Sequence, residues 1–510
     1  MKKLYRKRIF LLFLLPVLLL TGCWQDDSGT DTGIIQPDSS ATTSSDELKL
    51  PASFSLPYDA SQTLDPITCP DGIQQTVGSL LYEGLFELDG SFTPQPKLCS
   101  AYHYDAASLT YTFALRSGIK FSDGSALTAA DAAASLNRAL TSDRYRARLA
   151  AIQSVAAGDG AVTVVLKENN AGLPALLDVP IVKSGTESDL VPVGTGPYVY
   201  VSDAGSPCLK INGSWWGGSN QPVDQIGLVD CKDEDAVLYH FTSYDIQLLT
   251  SDLTGTDPVS ATGNIRFDDA NSTVLQYIGF NTKKPLFSSA ALRRALSLGI
   301  DRSSVVSAVL SGHALPAQFP ISPASSLYPA SLAADYSYDA FGSAMATAGY
   351  TVGISRPVTM IVNAENPFKV AAAKYIAAAL SAFDLDIEVS ALPWDEYTTA
   401  LQNGNYDLYY GEVRLTADWN IAPLVQTGGA LNYGGFSDPT LDLLLSEYAA
   451  ASDRTAAMET LCHGLQMQAP ILPICFKSTS VLSQKGVAEG LTPTAANPFY
   501  GLNFKIHLET

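Results

Sequence analysis

Hydrophobic and polar positions change period several times along this chain, and the changes mark its elements. Tyr111-Thr-Phe-Ala-Leu-Arg116 alternates apolar and polar side chains, the period of a half-buried strand. Gly118 and Asp123-Gly124 mark turns, after which Thr128-Ala-Ala-Asp131 predicts a capped, Ala-rich helix running to about Leu140. Val162 to Leu166 predicts another strand, and Tyr82 with Phe86 stands at helical spacing, which predicts one helix with both on its core side. Ser289 to Leu298 predicts a helix, and Asp301 caps a second one reaching Leu310. Pro367 after Asn366 marks the first turn of a helix to about Phe383, followed by a strand from Leu385 to Val389. Two helices follow Pro439 and lead into an apolar strand from Ile471 to Phe476. Helices and strands mixed in this way, with no internal repeat, predict an α/β or α+β body.

The amino terminus has a different pattern. Lys2, Lys3, Arg6, Lys7 and Arg8 precede an apolar stretch from Ile9 to Leu20, then Leu20-Thr21-Gly22-Cys23. This is the layout of a short export signal. Its apolar part would rise about 18 Å as a helix, well short of the ~30 Å core of a bilayer. Cys23 after two small residues resembles the bacterial lipobox, which implies a diacylglycerol on the Cys23 thiol and removal of residues 1 to 22. Residues 24 to 48 are rich in Ser, Thr, Asp and Gly without hydrophobic periodicity, as expected of a flexible tether, with a bound interaction tail as the alternative.

Composition narrows the function. Of 510 residues 46% are hydrophobic and 16% charged, enough to bury a large core. The formal net charge is -20, and it becomes -25 once the five basic residues of the leader are removed. Such an acidic chain, with no basic run after the first eight residues, argues against nucleic acid as a partner. The five His residues are scattered, and HExxH, Cys-x-x-Cys, GxSxG and GxxxxGK[ST] patterns are missing. No catalytic residue, metal site or cofactor is therefore assigned, and an enzyme is not expected. Besides Cys23 there are six cysteines, at 69, 99, 208, 231, 462 and 475. Six allow 15 connectivities. Cys208 with Cys231 is the favoured pair, since both lie on strands of one hairpin-rich region, and buried thiols are the alternative.

Four stretches carry a resemblance. The first is Leu80-Leu-Tyr-Glu-Gly-Leu-Phe-Glu87, Pro94-Gln-Pro-Lys97, Leu109-Thr-Tyr-Thr-Phe113, Leu115-Arg116, Phe121-Ser-Asp-Gly124 and Leu127-Thr-Ala-Ala-Asp131. The second is Gly194-Thr-Gly-Pro-Tyr198 with Trp216-Gly-Gly218; the third is Gly279-Phe-Asn-Thr282, Leu292-Arg-Arg-Ala295 and Gly299-Ile-Asp-Arg302. The fourth is Tyr406-Asp-Leu408, Thr416-Ala-Asp418 and Leu472-Pro-Ile474. In this order and spacing the chain resembles the extracellular solute-binding proteins of peptide/nickel-type ABC importers, the family of the oligopeptide- and dipeptide-binding proteins. Most of these residues have a scaffold reading: turns at Gly84 and Gly118, a bend at Gly196-Pro197, helix anchors at Arg294 and Arg302.

The resemblance implies an α/β, periplasmic-binding-protein-like fold of two lobes and a hinge, with an extra domain inserted in the first lobe. The first lobe would comprise residues 49–88, 193–275 and 480–510, the inserted domain 89–192 and the second lobe 276–479, with hinge strands near 276 and 479. The implied function is a lipid-anchored binding protein on the outer face of the cell membrane, a monomer that passes a short peptide to an ABC permease and ATPase complex. A nickel complex, oligosaccharide, opine or haem is an alternative ligand; ligand sensing without import and a surface hydrolase are alternative roles.

The same resemblance places ligand chemistry in the second lobe. Asp418, in Thr416-Ala-Asp418-Trp419-Asn420, matches the carboxylate that pairs with a peptide's α-amino group, and Trp419 and Asn420 are grouped with it. The bland reading is that Asp418 caps the turn before Ala422-Pro423, where this chain has Ile421-Ala422-Pro423 instead of an acidic residue followed by Pro. Trp394 stands where peptide binders place a pocket aromatic, or is a core residue. Arg414 would hold a ligand carboxylate, or else pair with Glu412 or Asp418. Tyr58, Asp65, Ile73 and Gln74 would face the cleft from the first lobe.

Overall fold

Helix starts in this chain are set by short polar side chains that reach nearby backbone N–H groups. In the computed structural model, which describes residues 50–203, 206–261, 263–350, 355–383 and 385–509, Thr128 and Asp131 form a reciprocal capping box at the helix Ala129–Ala139. Ser289 caps Ala290–Leu298, Asp301 caps Arg302–Val309, and Asn366 caps Pro367–Leu380. Asp438 and Asp453 cap the two helices Pro439–Ala450 and Arg454–Gln468. The predicted leader, Cys23 and the tether lie outside the described residues.

Three sheets organise the body. The first, in the order Ser55–Tyr58, Gln225–Asp230, Ser206–Ile211, Tyr198–Asp203, begins with a parallel pair and continues antiparallel. The helix Ile73–Leu81 packs beside it through Val77, Leu80 and Leu81. The second is an antiparallel sheet in the order Cys99–Asp105, Thr110–Leu115, Ala161–Leu166, Ile152–Ala157. Its alternate residues Tyr111, Phe113, Val162 and Val164 are buried against Ala132 and Leu136 of the helix Ala129–Ala139, as the period of two requires.

The third sheet has seven strands, six of them in the order Leu248–Ser251, Ile471–Gln484, Ile265–Phe280, Leu408–Arg414, Arg356–Asn363, Leu385–Leu392; Ala314–Pro316 adds to Ile471–Gln484. Both faces are buried. Ile278, Phe280, Met360 and Tyr410 enter one core with Leu296, Ile376 and Leu380, whereas Leu275, Tyr277, Ile361 and Tyr409 enter the other with Trp419, Leu461 and Phe476. The two longest strands, Ile265–Phe280 and Ile471–Gln484, run antiparallel to each other with two register shifts. Gln276 and Thr479, the expected crossings between lobes, fall inside them.

Four expectations need correction. The helix thought to carry both Tyr82 and Phe86 stops at Leu81, and Glu83–Gly84 and Phe86–Leu88 are short strands. Glu83–Gly84 pairs with Pro180–Ile181, and a Cβ on Gly84 would lie 2.9 Å from the Asp178 carbonyl carbon, so this close pairing overrides the helical spacing. The helix from Pro367 ends at Leu380, and Phe383 takes a positive φ of 50°. The strand from Ile471 runs on to Gln484. All six described cysteines are free and buried, so there is no Cys208–Cys231 bridge. Cys208 lies opposite Gly227, and Cys231 is four residues beyond that, about 13 Å along a strand and out of disulfide reach.

The motif residues mostly hold one another. Gly194 and Gly196 pass so close to the helix end that a Cβ would lie 2.1 and 2.5 Å from the carbonyl oxygens of Leu81 and Leu80. Thr195 Oγ1 and Trp216 Nε1 donate to Glu83 Oε2 at 2.9 and 2.8 Å, and Trp215 Nε1 donates to Oε1 at 3.2 Å. Burial raises the Glu83 pKa despite these donors. Arg302 is likewise spent on structure, donating to the carbonyls of Pro473, Ser297 and Ile300.

Candidate functional site

Strand Leu408–Arg414 delivers two polar nodes, one on the strand and one just after it. Beyond Arg414 the chain turns through Thr416 to Asn420, with Trp419 at a φ of 55°. Asp418 organises this turn: one carboxylate oxygen, Oδ1, accepts from Thr416 Oγ1 and from the Asn420 N–H at 3.2 Å. The other, Oδ2, accepts from Asn170 Nδ2 at 2.8 Å. The Asp418 backbone oxygen accepts from the Tyr448 hydroxyl at 2.8 Å and from Arg454 Nη2. Asp418 is 4% exposed, yet among the described residues no cationic side chain is ion-paired with its carboxylate.

The second node surrounds Glu412. It sits opposite Gln276 on the neighbouring strand, and Gln276 sits opposite Cys475 on the next. Gln276 Nε2 donates to Glu412 Oε2 at 2.9 Å, while the Tyr410 hydroxyl donates to Gln276 Oε1 at 2.7 Å. Lys369, in the first turn of the helix Pro367–Leu380, lies 2.9 Å from Glu412, and Lys477 lies 3.6 Å away. Lys477 Nζ also donates to Asp252 Oδ2 and, at 3.3 Å, to the Thr254 carbonyl. Asn366 Nδ2 donates to that same carbonyl at 3.1 Å, so the segment 252–254 is held from two sides. Burial would raise the Glu412 pKa, but Lys477, Lys369 and the Gln276 amide outweigh it and hold the carboxyl below its ordinary value.

The other expected residues separate into two groups. Trp394 opens the helix Trp394–Asn403 and is 51% exposed, with its ring 6.0 Å from that of Tyr397. Arg414 and Asn420 are exposed as well. Arg414 pairs with neither Glu412 nor Asp418, because Glu412 is taken by the two lysines. Trp419 departs from the expectation of a ligand-side residue: it is 1% exposed and packed edge-on between Phe92 and Phe476 at 5.1 and 5.8 Å.

Among the residues expected from the first lobe, Asp65 is buried in an ion pair with Arg138 and accepts from Thr68 Oγ1 at 2.7 Å. Gln74 is buried too, accepting from the Asp59 N–H at 2.9 Å and donating to the carbonyls of Asp59, Gln62 and Thr63. Both groups are occupied by structure. Tyr58 is buried on its strand, and Ile73 is the half-buried first residue of its helix. Sequence reasoning missed the lysines. The available signal was Lys477, a charge directly continuing the apolar run Ile471 to Phe476. A cavity of about 710 Å³ lies elsewhere, between the helix Ala290–Leu298 and the stretch 316–336, and includes none of the expected residues.

The chain as a whole is similar to known proteins. The profile of bacterial extracellular solute-binding proteins, family 5 Middle, matches residues 93–426. The chain is 26% identical over 446 residues to the glutathione-binding protein GsiB of Pectobacterium atrosepticum, covering 79% of this chain and 84% of that one. It is 27% identical over 271 residues to GsiB of Escherichia coli K12, covering 50% and 53%. Among solved structures, the unliganded open form of the periplasmic murein tripeptide-binding protein MppA matches with a TM-score of 0.74 and 19% identity, over 90% of this chain and 98% of that one. The oligopeptide-binding protein AppA of Bacillus subtilis with a nonapeptide matches with a TM-score of 0.58 and 20% identity, over 90% and 100%. The chain belongs to the family 5 extracellular solute-binding proteins and is a substrate-binding, non-enzymatic component of an ABC importer.

Proposed function

We propose that this protein captures short peptides by their free amino end and delivers them to an ABC permease. The observation that carries this reading is Asp418, a buried carboxylate with three hydrogen-bond donors and, among the described residues, no ion-pair partner. A buried carboxylate gains most from a cation, and a ligand ammonium is a cation that arrives and leaves with the solute. The names of relatives support it: glutathione, a murein tripeptide and a nonapeptide are all peptides. Exposed Trp394 and Arg414 supply an apolar face and a carboxylate partner for the remainder of such a ligand. The residue blocks 49–88, 193–275 and 480–510 on one side and 276–479 on the other act as lobes closing by hinge motion, with 89–192 inserted in the first.

Native mass spectrometry of freshly purified protein tests the ligand class. Peptides of a few residues are expected to co-purify; a bound nickel complex, haem or sugar would overturn the reading.

Cys23 provides the anchor in the same proposal, placing the protein on the outer face of the membrane. Metabolic labelling with a palmitate analogue should mark the wild type and leave Cys23→Ser unlabelled. Equal labelling of the two would refute the anchor.

A further inference from the structure

The donors on Asp418 differ in origin. Thr416 and the Asn420 N–H belong to the turn that Asp418 itself organises, and they fill both acceptor positions of Oδ1. Asn170 is 248 positions away in sequence and is the sole donor to Oδ2 among the described residues. A solute can take over the Asn170 bond while leaving the turn intact; it cannot do so with the other two.

Asn170 is held at this place by its neighbours. Its Oδ1 accepts from the Gly172 N–H at 2.9 Å, and its backbone oxygen accepts from the Tyr111 hydroxyl at 3.1 Å. The next residue, Ala171, donates its N–H to the Ala449 carbonyl at 2.8 Å. Gly172 comes so close that a Cβ there would overlap the Arg454 guanidinium, 1.7 Å from Nη1, and lie 2.8 Å from the Asp418 Cβ. Only a residue without a side chain lets this segment approach the Asp418 turn. The result is a neutral amide aimed at a buried carboxylate from a different part of the fold, with both residues at least nine-tenths buried.

We propose that Asn170 is a specificity-determining residue that occupies, in the solute-free protein, the position on Asp418 that a ligand ammonium takes. This rests on the amine-binding role of Asp418 given above. An ammonium brings a full positive charge to the carboxylate, which a neutral amide cannot match; with Asp418 only 4% exposed and Asn170 lying on Oδ2, the ammonium reaches that oxygen by moving the Asn170 side chain aside. A solute lacking a cation offers no such gain and leaves the amide in place. Asn170 therefore keeps the carboxylate solvated by protein until a solute of the right charge arrives, and lowers affinity for that solute by the strength of the bond that must be broken.

The test compares a mixed tripeptide library having free amino ends with the same library after N-acetylation, using competitive native mass spectrometry and calorimetry on its best binder. Asn170→Ala should bind the free-amine peptide about tenfold tighter than wild type and the acetylated peptide equally well, so the preference widens. Asn170→Ser keeps an oxygen for the Gly172 N–H and is too short to reach Asp418 Oδ2; it should widen the preference as far, which secures the result if the Ala variant folds poorly. An unchanged preference in both variants, with Asp418→Asn losing it, would overturn the role of Asn170 and leave the amine pocket standing. Preference unaffected by Asp418→Asn as well, or no binding of either library by wild type, would overturn both.

Discussion

Glu412→Ala is expected to lower stability by about 3 to 5 kcal/mol, the usual cost of removing one partner from a buried ion pair. Lys477 is 3% exposed at its side chain and Lys369 is 14% exposed, and Glu412 lies between them. Without it both lysines lose a shared carboxylate, and among the described residues only Asp252, 46% exposed, is left to neutralise Lys477. The loss should be much smaller in the variant Glu412→Leu with Lys369→Met and Lys477→Met, which removes both ammonium groups together with the carboxylate, since buried charged groups replaced by apolar groups of similar size are often neutral. Chemical denaturation of the three proteins checks this, and a single-variant loss below about 1 kcal/mol would refute the account. The pH dependence has a definite sign. The folded-state pKa of Glu412 lies below the ordinary value of 4.5, so its contribution is fully present above that value and disappears as pH falls through the depressed one. Wild type should therefore lose stability on acidification below about pH 4.5 more steeply than Glu412→Ala.

Asp418→Asn should weaken binding of a free-amine peptide by about 2 to 5 kcal/mol, or roughly 30- to 4000-fold. The substitution keeps shape and one acceptor and removes the charge. Its effect on folding should stay near 1 kcal/mol, because the new amide must face either the Asn170 amide or the Asn420 N–H, donor against donor. N-acetylation of the peptide should cost wild type a similar factor and cost the variant little more, since both changes remove the same interaction. If the two losses added, general damage would be the better explanation. Calorimetry in which the variant binds free and acetylated peptide as wild type does would end the amine reading.

What the sequence made legible was local. Thr128 with Asp131, Asp301, and Asn366 before Pro367 act within a few residues of themselves, and each starts a helix where expected. The strand predicted from Ile471 to Phe476 continues to Gln484 through a polar second half. Lys477, Ser480, Ser483 and Gln484 are nevertheless buried: strands pair with this one on both sides, and long-range hydrogen bonds hold Lys477 Nζ to the Thr254 carbonyl, Ser480 Oγ to Asp269 and Gln484 Nε2 to the Phe241 and Ile246 carbonyls. A hydrophobic alternation rule cannot see that. Asp418 was legible as a residue of interest, and its turn partners Thr416 and Asn420 adjoin it. Asn170, Tyr448 and Arg454 were not, because nothing in the chain between positions 170 and 418 states that the two meet. The Glu412 node required four segments to converge and left only Lys477 as a hint.

The six buried thiols make the fold indifferent to the redox state around it. Among the described residues there is no cross-link to be reduced. Burial pushes Cys99 and Cys231 up to about 11 and Cys475 up to about 12, and raises Cys69 and Cys462 as well. The thiolate is the reactive form, so at neutral pH these positions resist oxidants and alkylating agents while the fold is closed. Cys99 lies in the core of the second sheet, while Cys475 and Cys462 lie in the two cores on either side of the seven-stranded sheet. A thiol reagent therefore reports, cysteine by cysteine, which part of the molecule opens first.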